Sequence, residues 1–303
     1  MGWKGKNGGV KKGGLGALFL AGAIGLWSAV PAGAVDEIQL YNAEIAEVGQ
    51  FTIQHHFNYA FMGRTEPDFP GGLVPKRALN ATPEFAYGVT DWFEAGLYIP
   101  WAIDGDGQFL SNNFKLRTLF VMPNADKRDF FMGLNFEFDF PNPHFDPNRF
   151  AMEMRPIIGW RNPQWEFITN PIFDVGFGSH TYLDFVPAAR LARKVAEDTF
   201  VGLEYYSDLG LPGSFPSFNQ EQHQLFAVVD FKVWEIDVDF GVGYGLTSGS
   251  DRLVAKTILS YAFPAPGKSQ SSEPAMQAPP TMRSALRTSV TLPAIADPFY
   301  AMR

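Results

Sequence analysis

The sequence of 303 residues contains no cysteine, which excludes disulfide bonds, thiol chemistry and thiolate-bound metals. Charged residues make up only 18% of the chain, and nothing in it resembles the dense basic surface of a nucleic-acid-binding protein. After residue 34, no apolar stretch is long enough to form a transmembrane helix. If the chain enters a membrane, it therefore crosses it as β-strands.

The first 34 residues have the features of a secretory signal peptide. Four lysines precede an apolar core over residues 15–30, and Ala32-Gly33-Ala34 forms a small-residue cleavage site. We therefore predict cleavage before Val35. Without this segment the chain has 20 basic and 32 acidic residues, a net charge of −12, which argues against nucleic acid as a partner.

Residues 130–140 alternate between apolar and polar side chains for eleven positions. The even positions are Phe, Met or Leu, whereas the odd ones include Asn135, Glu137 and Asp139. A period of two indicates a β-strand with one apolar and one polar face. Eleven residues match the length of a tilted strand that crosses a bilayer. A soluble sandwich would bury the apolar face, whereas a membrane barrel turns it toward lipid and the acids toward the lumen.

Similar alternation recurs along the chain up to residue 263 and gives about twelve strands. The connections between them are alternately long and short, as are the outer loops and periplasmic turns of bacterial barrels. Tryptophans collect near the predicted strand ends, which is typical of interfacial girdles; they are Trp92, Trp101, Trp160, Trp165 and Trp234. We therefore predict an all-β fold, an antiparallel up-and-down transmembrane β-barrel of about twelve strands.

Four prolines conflict with this prediction. Pro83, Pro156, Pro171 and Pro187 lie inside predicted strands, and a closed barrel has no free edge at which a missing N–H is tolerated. Bulges, or positions outside the hydrocarbon zone, would accommodate them. The strand boundaries near these prolines are therefore open.

The chain divides into four predicted parts. A signal peptide (residues 1–34) precedes an N-terminal lead-in or plug segment (35–48), and the barrel occupies residues 49–263. Residues 264–303 contain prolines and a run of serines without sustained alternation, and we predict a disordered tail there. On this topology the tail lies in the periplasm.

The polar faces of the predicted strands would line the lumen. Carboxylates outnumber cations there, so an open lumen would favour cations or neutral solutes. Alternatively, the charges pair across neighbouring strands and close the interior, since twelve strands leave only a modest bore. The predicted lumen residues are Glu84, Glu94, Lys115, Arg117, Glu137, Asp139, Glu153, Arg155, Asp174, Asp184, Arg190, Glu204, Asp230, Asp237, Asp239 and Lys256.

No residue pattern points to a metal ion or cofactor. His55 and His56 are adjacent in a strand, so their side chains point to opposite faces and cannot readily share one ion. Asp104 and Asp106 lack the spacing and the distal glutamate of a calcium-binding loop. We therefore predict neither a metal site nor a cofactor.

Three histidines leave a barrel enzyme open as an alternative. His144, His180 and His223 fall in or beside the predicted outer loops, and Asp146 and Asp184 are not far away. Loops commonly collect such residues without catalytic purpose. We therefore assign no catalytic residue and do not expect an enzyme.

Three segments resemble a known family. They read EVGQFTIQ at residues 47–54, TPEFAYGVTDWFEAGLYIP at residues 82–100 and FGVGYGLTSGSD at residues 240–251. Together they are similar to an outer-membrane channel family labelled as the MetA pathway of phenol degradation. The resemblance spans roughly residues 45–263. It implies an outer-membrane barrel that imports hydrophobic or aromatic compounds and supplies no catalytic residues.

The sequence thus predicts a channel in the outer membrane of a Gram-negative bacterium, for passive passage of small solutes. Its expected partners are outer-membrane lipid and a small-molecule solute. The first alternative is a barrel enzyme that hydrolyses lipid or peptide. The second is a non-conducting structural barrel whose tail binds a periplasmic partner.

Overall fold

The computed structural model describes residues 37–265, so the predicted signal peptide and nearly all of the predicted tail lie outside the described residues. Within that range no helix is long and apolar enough to cross a bilayer. A 3₁₀ turn covers Ala125–Lys127. The strands are β1 (Phe51–Met62), β2 (Leu79–Gly88), β3 (Phe93–Tyr98), β4 (Trp101–Ile103), β5 (Phe109–Ser111), β6 (Phe114–Val121), β7 (Phe130–Phe140), β8 (Phe150–Arg161), β9 (Trp165–Asn170), β10 (Phe173–Phe177), β11 (Tyr182–Phe185), β12 (Ala188–Ala196), β13 (Thr199–Asp208), β14 (Gln222–Val233), β15 (Ile236–Gly245) and β16 (Leu253–Ala262).

These segments form one closed antiparallel barrel of twelve strands. Four consecutive pairs of segments, β3/β4, β5/β6, β9/β10 and β11/β12, each continue one barrel strand across a short break. The first segment, β1, pairs with both β2 and the last segment, β16, and this pairing closes the sheet. The predicted all-β, up-and-down architecture is therefore confirmed.

The apolar face of each strand points out of the barrel and the polar face points in. On β7, Phe130 and Met132 are 50% and 48% exposed, whereas Asn135 and Glu137 are 0% and 5% exposed. A protein that folds around an apolar core in water shows the reverse distribution. An apolar exterior around a charged interior is the pattern of a barrel surrounded by lipid.

Prolines lie in or beside three of the four breaks in the barrel strands. Pro171 and Pro187 lie in the breaks β9/β10 and β11/β12. The strand registers place Pro156 of β8 opposite Pro171, and Pro171 opposite Pro187, so three adjacent strands lack an N–H donor at one level. Pro83 stays within β2, opposite the break β3/β4, where the Ile99 N–H donates to its carbonyl oxygen (3.1 Å). The barrel thus places each proline beside an interrupted neighbour.

The two rims of the barrel differ in the length of their connections. We call the end of the barrel with the tight turns, such as residues 162–164 and 234–235, the inner rim, and the opposite end the outer rim. The barrel sequence both begins and ends at the inner rim. Trp234 lies in one of the two-residue turns, with a φ of 55° and 88% exposure. The connections of the outer rim are mostly longer, although the inner connection 122–129 is longer than some of them. The outer connections are residues 63–78, 104–108, 141–149, 178–181, 209–221 and 246–252.

Residues 37–50, which we call the lumen segment, lie inside the barrel without helix or strand structure. At the inner rim the Gly49 N–H donates to the Gly88 carbonyl oxygen (2.8 Å). Nearer the start of the segment, Tyr41 and Ala43 are buried in an apolar cluster that includes Phe131 of β7. The lumen segment therefore packs against the inner wall of the barrel.

An inward-facing aromatic ring covers a glycine on the neighbouring strand in this cluster. Phe131 lies directly opposite Gly159, and a Cβ atom at Gly159 would lie 2.0 Å from Phe131 Cζ. Such a distance is far below van der Waals contact, so the ring position requires a glycine. Phe226 and Gly243 form an equivalent pair on β14 and β15, with a distance of 2.4 Å.

We expect Gly159→Ala to lower the free energy of unfolding by about 1–3 kcal/mol, because the added methyl group overpacks the site. Urea unfolding in lipid vesicles, followed by tryptophan fluorescence, measures this loss. In the double variant Phe131→Leu/Gly159→Ala the smaller side chain makes room, so the two losses are less than additive. Strictly additive losses would contradict this packing.

Candidate functional site: a divided, charged lumen

The lumen segment divides the barrel interior into two cavities. An outer cavity of about 220 Å³ lies toward the long loops, and an inner cavity of about 580 Å³ opens toward the tight turns. Gln39 contributes to the wall of both cavities. The layer that separates them therefore sets the width of any path through the barrel.

Tyr41 is the centre of this dividing layer. Its hydroxyl lies 2.5 Å from the Tyr98 hydroxyl and donates to Glu137 Oε1 (3.1 Å). Its backbone N–H donates to Asn170 Oδ1 (2.8 Å), and Asn170 Nδ2 donates back to its carbonyl oxygen (3.2 Å). The Arg155 guanidinium lies 4.6 Å from the Tyr41 ring centre, which is within the range of a cation–π contact. These contacts tie the lumen segment to four barrel strands.

A buried ion cluster lies beside this layer. Arg117 bridges Glu84 (2.7 Å) and Glu94, and all three side chains are almost completely buried. His56 Nε2 lies 3.2 Å from Glu84 Oε2. The backbone N–H of Ala46 donates to Glu94 (2.6 Å), so this cluster also anchors the lumen segment.

A second ion cluster occupies the wall formed by β12 to β16. Lys256 contacts Glu204 (2.5 Å) and Asp239 (3.3 Å), and it is 1% exposed. Arg190 contacts the same Glu204 (2.6 Å) and also Asp230. Two cations thus hold three carboxylates together on this wall.

The wall formed by β7 to β11 is acidic, and fewer of its carboxylates are paired with a cation. The registers place Glu137, Glu153, Asp174 and Asp184 directly opposite one another on four successive strands. Arg155 pairs with Glu153 (2.6 Å), but Asp174 has no hydrogen bond or ion pair to any described residue. Like charges opposite each other weaken strand pairing, so this row has a cost in stability.

The predicted lumen residues lie on the inner wall of the barrel, but one of them is largely exposed to solvent. Asp237 is 62% exposed and pairs with Lys232 (3.3 Å) at the inner rim. Sequence reasoning missed Glu37, Tyr41 and Tyr98. Tyr98 follows from the alternation, since it shares its strand face with Glu94, whereas the lumen segment has no periodicity that indicates its contacts.

The predicted girdle tryptophans lie near the barrel ends. Trp92, Trp160 and Trp165 are 38–45% exposed near the inner rim, and Trp234 lies in the turn already described. Trp101 opens β4, the short segment that leads to the outer rim. A tryptophan ring has both an apolar and a polar part, so it is favoured at the boundary between lipid and water.

Carboxylates also organise the outer loops. Asp146 accepts hydrogen bonds from the Tyr182 hydroxyl (2.6 Å) and the Asn148 N–H (2.6 Å), while burial raises the pKa of its carboxyl group. Arg64 pairs with Asp68 and with Asp251 (3.3 Å). These contacts join the loop after β1 to the loop before β16, so the outer mouth is held in shape.

The three histidines considered for the enzyme alternative each have a different hydrogen-bond partner. His180 Nδ1 lies 3.0 Å from the Oγ of the adjacent Ser179, on the exposed surface. His223 Nε2 lies 2.9 Å from Glu221, and His144 Nδ1 lies 3.1 Å from a backbone oxygen. Among the described residues no group of three or more His, Asp or Glu side chains is arranged to hold a metal ion.

Comparison with solved structures finds a protein with a similar barrel fold. An outer membrane channel from Pseudomonas putida F1 is 11% identical and aligns with a TM-score of 0.53 over 75% of this chain and 100% of that chain. The porin NanC (7% identity, 70% and 98% coverage) has a TM-score of 0.45. The channel DcaP of Acinetobacter baumannii (11% identity, 71% and 96% coverage) has a TM-score of 0.32. The first similarity supports the barrel fold, and the other two are too loose to support more.

No protein-family model matches the sequence, and no curated protein is significantly similar to it. The resemblance to the phenol-degradation channel family is therefore not confirmed and stays a prediction.

Proposed function

We propose that this protein is an outer-membrane channel of a Gram-negative bacterium through which small cationic and neutral solutes pass. The observation that carries this proposal is a closed barrel with an apolar exterior and a charged interior that contains a cavity on each side of the lumen segment. The half-exposed tryptophans near the rims support a position between two lipid–water interfaces.

The charges of both cavities support preference for cations over anions. Among the described residues, nine carboxylates line the outer cavity, together with Lys115 and Arg155. Eight carboxylates line the inner cavity, together with Arg117, Arg161, Arg190 and Lys194. Acidic rings concentrate cations and repel anions in a narrow pore.

The solute class that the family resemblance implies, hydrophobic or aromatic compounds, is a second candidate within the same function. The tyrosines of the dividing layer favour it, because Tyr41 and Tyr98 place aromatic rings in the layer between the two cavities. Uptake of phenol into liposomes containing the protein measures this directly. The charged walls on both sides lead us to rank polar cations and neutral solutes first.

We expect the reconstituted channel to be cation-selective. In planar bilayers with a tenfold KCl gradient, the reversal potential should have the sign of potassium permeation. The double variant Asp139→Asn/Asp174→Asn should lower the cation-to-anion permeability ratio roughly threefold, because it removes two lumenal charges.

Asp126→Asn is the matched control for this measurement. It makes the same chemical change at an exposed carboxylate of the turn Ala125–Lys127 that lines neither cavity, where water and salt screen the charge, so selectivity should be unchanged. A barrel that passes anions preferentially, or passes no current at all, would remove the channel proposal and favour the non-conducting alternative.

A further inference from the structure

The outer cavity contains carboxylate oxygens that no described residue satisfies. Asp174 has no hydrogen bond or ion pair to the described part of the chain. Asp139 Oδ1 and Glu37 Oε1 are buried and also have no hydrogen-bond partner, whereas Glu37 Oε2 accepts a hydrogen bond from Lys115 (3.1 Å). Each of these three side chains lines the same cavity. Buried carboxylates persist where a cation compensates them.

Asn80 is an independent sign that this cavity has an occupant. Its side chain is 5% exposed, and neither its Oδ1 nor its Nδ2 atom has a hydrogen-bond partner among the described residues. It lines the outer cavity from β2, whereas the acidic row lies on β7 to β10. Buried amide groups rarely lack hydrogen-bond partners on both the oxygen and the nitrogen. A ligand that hydrogen-bonds to Asn80 would supply such a partner.

The spacing of the carboxylates favours an extended cation over a compact one. Asp139 of β7 and Asp174 of β10 lie on opposite sides of β8, and neighbouring strands are about 4.8 Å apart. The two carboxylates are therefore about 10 Å apart or more, too far for one ion to contact both. No group of carboxylates in the described range is arranged around a single metal position.

Apolar side chains line the same cavity as these charges. They include Leu73, Ile172 and Val186. A ligand with positive groups separated by methylene chains would place its charges on the carboxylates and its chains on these side chains. Inorganic cations have no apolar part that could use this surface.

We propose that the outer cavity binds a linear aliphatic diamine or polyamine. One ammonium group contacts Asp174 and another contacts Asp139 and Glu37, while Asn80 accepts a hydrogen bond through Oδ1. Each ammonium group has three donors, which match the free oxygens of this wall. This inference deepens the proposed channel function and rests on it, since it names a solute class that the channel would select.

Isothermal titration calorimetry of the folded full-length barrel in detergent, with spermidine as the titrant, tests this binding without requiring an open channel. Spermidine should bind the unmodified protein. Asp139→Asn/Asp174→Asn should weaken its affinity about tenfold, which corresponds to about 1.4 kcal/mol. The control Asp126→Asn, at an exposed carboxylate outside both cavities, should leave the affinity unchanged. Asn80→Ala, on a different strand, should also weaken binding and serves if the double variant does not fold.

Two comparisons separate this site from general attraction of cations. Putrescine should bind more tightly than butylamine, because only the diamine has a second ammonium group, so that it contacts Asp139 as well as Asp174. Equal affinities for these two amines, competition by magnesium ions at equal concentration, or no heat with the unmodified protein would overturn the proposal. A barrel that binds spermidine but passes no current would contradict the channel function and leave this site standing.

Discussion

Deletion of residues 37–46 is expected to raise the single-channel conductance of the barrel roughly fivefold, since the bore of a twelve-stranded barrel is narrow and this segment occupies it. The deletion removes Tyr41 and its contacts with Tyr98 and Glu137, and it joins the two cavities into one path. Conductance in planar bilayers, measured on protein refolded without the segment, gives the result.

Deletion of ten residues from the region 266–303 is a length-matched control, because this region follows the last barrel strand, which ends at Ala262. That variant should conduct like the unmodified protein. Tyr41→Ala should give an intermediate conductance, because it opens the dividing layer but leaves the remaining segment in place. If deletion of residues 37–46 leaves the conductance unchanged, the lumen segment does not limit passage.

Arg117→Met is expected to destabilise the barrel by about 3–5 kcal/mol, because it leaves two buried carboxylates without their cation. Glu84 and Glu94 both contact Arg117, and both side chains are almost completely shielded from water. The variant should unfold at a lower urea concentration in lipid vesicles and lose its compact migration on unheated gels.

Two further variants make this prediction specific. Lys232→Met breaks an exposed pair with Asp237 and should cost at most about 1 kcal/mol. In the triple variant Glu84→Gln/Glu94→Gln/Arg117→Met the buried charges are absent together, so much of the lost stability should return. A loss for Arg117→Met no larger than that for Lys232→Met would show that the cluster is not needed for stability.

The strands of this barrel could be predicted from the sequence because one face of each strand points out of the barrel and the other points into the lumen. Apolar and polar residues therefore alternate along each strand. Phe130 and Met132 face outward and Glu137 faces inward, and a period of two follows directly from strand geometry. Phe131 shows the limit of this reasoning. It lies on the inward face among polar residues, and only the structure shows that it packs on Gly159 and beneath the lumen segment.

The breaks in the barrel strands and the lumen segment could not be predicted in detail. Pro171 interrupts one strand because Pro156 and Pro187 lie beside it on both neighbours, and this alignment depends on register, which a single strand does not reveal. Residues 37–50 have no regular structure, so their position depends on individual contacts such as the one between Ala46 and Glu94.

The unequal distribution of charge around the barrel has a consequence for the orientation of a passing molecule. Arg190 and Lys256 lie on the wall of β12 to β16, and the least compensated acids, including Asp174, lie on the wall of β7 to β11. On the first wall the two cations nearly balance the carboxylates that they contact, whereas the second wall stays acidic. This uneven charge creates an electric field across the pore, perpendicular to its axis. A dipolar molecule therefore turns as it enters, so its shape in that one alignment decides whether it fits.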